Sequence, residues 1–338
     1  MKHRIPSIVL AALVLLAPAA HAWNAIGHMA VSKLAYDRLD DSEKTRLFTI
    51  LKSHPHYDAF LAAGRPAEVS EVEWVILRAS VWPDWVRPRD KDARGTSVTR
   101  YHRGEEHYIN IPFIDPKDAD FFKGKPLVSP DLANIISALK QRCNDLKTRT
   151  AVAEDQAVAI CWIFHLVGDI HQPMHNVAYF SSDAAFVQGD QGGNKFGIRV
   201  NGKKVKLHAY WDDLLGEDAN YADDSGDRQA RIYKQAVAVA ESLRGLPLSD
   251  ADKESLEKNK TFASWSQESY RLATKVSYQK TDGSGILERV EAKFKGPIAD
   301  SAPEAGAKYA QTARAVAEVR VLLAGHRLAE RIKLTLPK

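Results

Sequence analysis

Apolar residues recur at intervals of three and four along five long stretches: AIGHMAVSKLAYDRL (25–39), DLANIISALKQRCNDL (131–146), AEDQAVAICWIFHLVGDIHQ (153–172), DRQARIYKQAVAVAESLRGL (227–246) and AKYAQTARAVAEVRVLLAGHRLAERI (307–332). That spacing lines one face of an α-helix with apolar side chains, so each stretch predicts a helix and the core is mostly α. One segment alternates instead. In KFGIRVNGKKVKLHAYW (195–211) the period falls to two, and Asn201-Gly202 supplies the pair favoured in a two-residue turn, which predicts a small β-hairpin feeding a short helix. Stretches rich in Pro or charge (86–106, 112–130 and 279–304) read as long loops. With no fixed-period repeat and no break in composition to mark a linker, the pattern predicts a mostly α, single-domain, multi-helix fold with a small hairpin.

The N-terminus has a different pattern. Lys2 and Arg4 precede the apolar run IVLAALVLLAPAA, and Ala20 and Ala22 place small residues three and one positions before a cut ahead of Trp23. This is the layout of a cleaved secretory signal, so residues 1–22 read as a signal peptide and 23–338 as the mature domain, periplasmic or secreted. The apolar run is short for a bilayer span, and no second run of spanning length follows, so no stable membrane association is expected. With 45% apolar residues the mature chain has ample material for a core. The formal charge of +4 falls to about +2 without Lys2 and Arg4, too little to steer a polyanion by itself. Two cysteines, Cys143 and Cys161, exclude a disulfide-dense scaffold. They flank KTRTAV between two helical stretches, where one bridge or two buried thiols fit equally.

Candidate chemistry comes from histidine and aspartate at helical spacing. In HLVGDIHQPMH (165–175), His165 and Asp169 project from one face one turn apart. A buried carboxylate and imidazole need a partner, which either their own hydrogen bond or a metal supplies. Pro173 ends or kinks the helix after Gln172 and lets His175 turn toward the same cavity, while His171 points away from it. HAYWD repeats the spacing with His208 and Asp212. Imidazole and carboxylate without thiolate suit zinc in sites that keep open positions, as catalytic zinc does. Asp84 in SVWPDWVR and His107 in EEHYINIP are further candidates; alone, Asp84 reads equally as a cap or turn residue and His107 as an ordinary loop histidine.

In order along the chain, WNAIGH, WPDWVR, HYIN, HLVGDIHQPMH, GGN and HAYWD resemble the zinc-dependent, single-strand-specific nucleases and 3′-nucleotidases of fungi, plants and bacteria, which share a fold with bacterial phospholipase C. The resemblance runs from Trp23 to the C-terminal AGHRLAERI. It implies three zinc ions: one on Asp84, His107, His165 and Asp169; a second on His175, His208 and Asp212; and a third on His28, the shared Asp169, and the α-amino group and carbonyl oxygen of Trp23. An amide nitrogen has no lone pair to give, so the last assignment requires cleavage before Trp23.

The implied activity is cleavage of single-stranded DNA and RNA to 5′-phosphorylated products, with removal of 3′-phosphate from nucleotides and no obligate protein partner. Zinc would lower the pKa of bound water toward neutrality, Asp84 would orient that water, and the planar fork of Arg87 would hold the phosphate. Tyr108 takes the place of an aromatic on which a base stacks, which suits an unpaired strand. Asn110 departs from the aspartate that many relatives carry there for the base edge, and its amide both donates and accepts. Asn194 in GGN is a candidate for positioning phosphate, and the six basic residues from Arg87 to Arg103 for guiding a strand. Two rivals remain: a phospholipase C, disfavoured by the short Trp23–His28 gap and by Asp212 where that branch has Glu, and a non-catalytic zinc-binding protein, which would need no phosphate clamp.

Overall fold

The computed structural model describes residues 23–88, 95–125, 127, 133–148, 152–218, 225–293 and 296–336. Residues 1–22, which the sequence reads as a signal peptide, and three of the basic residues between Arg87 and Arg103 lie outside them. The first helix, α1 (Ala25–Tyr36), starts where the Asn24 side chain accepts the backbone N–H groups of Ile26 and Gly27, pairing donors that a helix start leaves open. It is followed by α2 (Asp41–Leu51), α3 (Glu71–Ala79), the one-turn α4 (Trp82–Trp85), α5 (Thr96–Thr99), α6 (Ala119–Phe122) and α7 (Ile135–Thr148). The central helix is α8 (Ala153–His171), buried on nearly every face over its last three turns. Its end is set by Pro173, which forces Gln172 into an extended conformation and opens the 3-10 turn Pro173–Asn176.

The second half adds α9 (Leu207–Asp212), α10 (Gly226–Arg244), α11 (Asp250–Lys258), α12 (Phe262–Leu272) and the long α13 (Ala307–Thr335). Helix α1 packs between α10 and α13, and Gly325 of α13 leaves no room for a Cβ against Leu34. The main apolar core runs from Trp23 to Leu336, with Trp23, Trp74, Trp82, Trp162, Trp211 and Trp265 fully buried, and a small second cluster gathers Phe122, Ala178 and Phe180. The architecture is mostly α, as the periodicity predicts. Among the described residues no helix is long and apolar enough to cross a membrane.

Among the described residues five short strands complete the fold: β1 (Pro112–Ile114), β2 (Ala178–Phe180), β3 (Phe196–Val200), β4 (Lys203–Lys206) and β5 (Val290–Glu291). The hairpin β3–β4 forms in the expected register, Val200 opposite Lys203, with Asn201 and Gly202 both at positive φ (50° and 77°), the backbone of a type I′ turn. Three stretches read as long loops carry short elements instead: α5, β1 and α6, and β5. Strand β1 pairs in parallel with β2, and β5 adds to β3. Elements of two to four residues are too short for a periodic signal, and their pairing is made by partners distant in sequence. Cys143 on α7 and Cys161 on α8 are both buried and free, so the thiol alternative holds and the bridge does not form.

Candidate metal centre

Six elements carry the side chains that sequence singled out. His28 lies in the first turn of α1, Asp84 on α4, and His107 at the end of the 3-10 turn Gly104–His107. His165 and Asp169 stand one turn apart on α8, His175 follows in the turn after it, and His208 and Asp212 sit near opposite ends of α9. All are buried except Asp84, which is partly exposed. Close backbone approach at two glycines seats the N-terminal part: a Cβ on Gly168 would meet His28 Nδ1 at 2.8 Å, and one on Gly27 would meet Trp23 Cβ at 2.7 Å. The buried Trp23 indole donates to Gly168 O at 3.1 Å, which holds residue 23 against α8 beside His28.

The eight side chains converge in three groups whose donor atoms lie within 4.8 Å of one another: His28, His165 and Asp169; Asp84, His107 and His165; His175, His208 and Asp212. Asp169 is the hub of the first two. Its Oδ1 is 3.2 Å from His28 Nε2, and its Oδ2 is 2.9 Å from His107 Nδ1 and 3.3 Å from His165 Nε2. The rings of His28 and His165 stack at 3.9 Å.

Hydrogen bonding fixes which nitrogen each ring presents. His165 Nδ1 donates to Ser80 O (2.8 Å), His175 Nδ1 to His107 O (2.7 Å) and His208 Nδ1 to Gly192 O (2.6 Å). A neutral imidazole has one N–H, so all three turn an Nε2 lone pair inward. His175 Nε2 and His208 Nε2 then face each other at 3.1 Å, and His165 Nε2 lies 3.5 Å from the Asp84 carboxylate. Lone pairs and carboxylates gathered out of water repel unless a cation or protons lie among them. His28 Nδ1 and His107 Nε2 are also buried without a hydrogen-bond partner. An imidazole and carboxylate set with its outer nitrogens tied to backbone carbonyls fits a divalent ion such as zinc.

Burial also shifts the proton affinity of these side chains. It lowers the pKa of His28 and takes that of His107 well below the usual range, with the neighbouring Arg87 and His165 adding to the effect at His107. It raises Asp169 to about 7 and Asp212 well above the ordinary carboxylate range. Neutral imidazoles and protonated acids are what a dry cavity holds when no cation is present.

Arg87 is buried here and is not part of a solvated loop: its Nη2 lies 2.8 Å from Asp84 Oδ1 and 3.1 Å from His107 Nδ1. Tyr108 follows in an extended conformation, half-buried, with Asn110 half-buried two residues on. Asn194 donates to Gln191 O at 2.9 Å and so braces its own turn. His171, as expected, lies outside the three groups and meets Arg327 Nη1 at 2.9 Å. One residue that spacing did not reveal is Gln172, whose Nε2 donates to Asp212 Oδ1 at 2.7 Å while its Oε1 accepts Met174 N–H. Its place next to Pro173 was the only signal, and it pointed to a helix end.

The profile of the S1/P1 Nuclease family matches residues 23–337 of the chain. Endonuclease 2 of Arabidopsis thaliana is 27% identical over 247 residues, which are 70% of this chain and 67% of that protein. Endonuclease 3 of the same plant is 22% identical over 197 residues, 58% of this chain and 55% of that one. Endonuclease 4 is 36% identical over a shorter stretch of 70 residues.

Proposed function

The chain belongs to the S1/P1 nuclease family, and on that premise we propose that it is an exported, trinuclear-zinc endonuclease that cuts single-stranded DNA and RNA to 5′-phosphorylated products and removes the phosphate of 3′-nucleotides. The observation that supports this best is the convergence of three histidine–aspartate groups beside a buried arginine. In this reading one zinc would be held by Asp84, His107, His165 and Asp169, and another by His175, His208 and Asp212. The third would be held by His28, Asp169, the carbonyl oxygen of Trp23 and its α-amine, which a signal cut before Trp23 would free.

Zinc bound there would supply a Lewis acid for the phosphate and a water of lowered pKa. The chain's own residues do the rest. Asp84, partly exposed at the edge of the cavity, orients the attacking water. Arg87, held by Asp84, turns its guanidinium fork toward charge that builds on the phosphate oxygens. Tyr108 offers a face to an unpaired base, Asn110 an amide to its edge, and Asn194 a further contact near the His208 loop. A base stacked in this way must be out of a duplex, which gives the preference for single strands. The site of action is the periplasm or the medium, with no obligate protein partner and no stable attachment to a membrane.

Parallel assays of the processed protein on single-stranded DNA, duplex DNA, RNA, 3′-AMP and phosphatidylcholine test the proposal. Cleavage of the single-stranded substrates and of 3′-AMP is expected. Release of phosphocholine without nucleotide cleavage would replace it with a phospholipase C, and zinc binding without any hydrolysis would replace it with a zinc-binding protein.

A further inference from the structure

We propose that Asp190, remote from the reacting atoms, is a positioning residue that fixes the ring of His208 through the carbonyl of Gly192 and so sets the affinity of the His175, His208 and Asp212 group for its ion. The inference rests on the reading of that group as a zinc site.

Asp190 is fully buried, and each bond to its carboxylate comes from a neutral donor. Oδ1 accepts Tyr179 N–H at 2.9 Å; Oδ2 accepts Gly193 N–H at 3.0 Å and Tyr278 O–H at 2.7 Å. The next three residues, Gln191, Gly192 and Gly193, all have positive φ (58°, 61° and 86°), a run that curls the chain back around this carboxylate. The other side of the curl is a wall. A Cβ on Gly192 would lie 2.5 Å from Met174 O, and one on Gly193 would lie 2.7 Å from Met174 Cε and 3.0 Å from the His208 backbone nitrogen. The loop is therefore clamped between the Asp190 carboxylate and the His208 segment.

Two carbonyls leave this loop toward His208. Gly192 O accepts His208 Nδ1–H at 2.6 Å, and Gly193 O accepts His208 N–H at 3.4 Å. The first bond places the lone pair on Nε2 and aims it at His175 and Asp212, which is the role an outer partner plays for a metal-bound imidazole. A carboxylate suits the centre of the loop because it only accepts. In Asp190→Asn one end of the side chain becomes a donor and confronts either Tyr179 N–H or Gly193 N–H. A hydroxyl such as that of Tyr278 can rotate away, but a backbone N–H cannot, so the loop must shift and carry Gly192 O with it.

The test compares holoenzymes by zinc retention against a graded chelator, together with kcat and KM. For Asp190→Asn we expect one ion in three to be held about 10- to 100-fold more weakly, the scale of losses at such outer partners, with kcat falling and KM for single-stranded DNA unchanged. Gly192→Ala moves the carbonyl directly with Asp190 intact, should give the same selective loss, and decides the matter if the first variant does not fold. Tyr278→Phe removes the hydroxyl from Oδ2 but leaves both backbone N–H bonds to the Asp190 carboxylate, which are the ones that set the loop, and should leave all ions at wild-type affinity. Folded Asp190→Asn and Gly192→Ala that retain every ion as tightly as wild type would overturn this inference alone. A wild-type protein that holds no ion at His175, His208 and Asp212 would overturn the functional reading and this inference with it.

Discussion

His175 Nε2 and His208 Nε2 face each other at 3.1 Å, although each ring has already committed its N–H to a backbone carbonyl. Two lone pairs at that distance repel in a dry cavity, so the arrangement is stable only with something positive between them. Removing the ions with a chelator should therefore lower Tm, and adding zinc back should restore it. An ion present at a thousand times its Kd stabilises by about 4 kcal/mol, which differential scanning calorimetry resolves easily. An identical Tm with and without chelator would count against a metal in this group.

Arg87 is tied to Asp84 at 2.8 Å and is buried, so it is preorganised and does not have to be recruited from solvent. Arg87→Lys keeps the charge but loses the fork. We expect kcat/KM on single-stranded DNA to fall by about 10²–10³ while zinc content stays at wild type. A variant with normal rates would remove Arg87 from the phosphate-binding role.

In the metal-free protein, burial raises the Asp169 carboxyl to about 7. Between the unfolded value of about 4 and that point the folded chain keeps a proton that the unfolded chain releases, so this group costs stability as pH rises through the window. Zinc has to displace the same proton. The difference in Tm between zinc-loaded and metal-free protein should widen from pH about 4 to about 7 and then level off, as should the apparent zinc affinity. Scans across this range with and without zinc check it, and a difference independent of pH would contradict it.

How much was legible before the structure differs by kind of residue. His165 with Asp169 and His208 with Asp212 were visible because helical geometry turns a spacing of four into one face, and the Asn201-Gly202 turn because few pairs accept two positive φ angles. What could not be read was whatever depends on backbone atoms. Ser80 O, His107 O and Gly192 O fix three of the histidine rings, yet a carbonyl leaves no trace in residue type. Gln172 reaches Asp212 from a position whose sequence signal was only the helix end before Pro173. The parallel pairing of β1 with β2, three residues each, was hidden for a related reason, because its partners are more than sixty positions apart.

Behind α8, Glu268 joins two buried arginines: Oε2 accepts from Arg320 Nη1 at 2.8 Å and Arg327 Nη1 at 2.7 Å, and Arg320 Nε also holds His171 O at the end of α8. Burial pushes the Glu268 carboxyl up, but the two guanidiniums outweigh it and hold it well below the usual range. Glu268→Gln leaves both cations without their counterion and should destabilise the fold by about 3–5 kcal/mol at neutral pH, read from urea unfolding. Because the folded pKa is depressed, this contribution is present above the unfolded value and is lost as pH falls below about 4. The gap between variant and wild type should narrow there, and a constant gap would point to packing and not charge.

The claim on which the rest depends is that three ions are gathered by nine residues, one of them through a terminal amine. Elemental analysis of purified protein beginning at Trp23, beside a form with one extra residue before it, measures this directly. Three zinc ions per chain are expected in the first and two in the second, with most activity lost. Equal metal content and equal rates in the two forms would contradict the account.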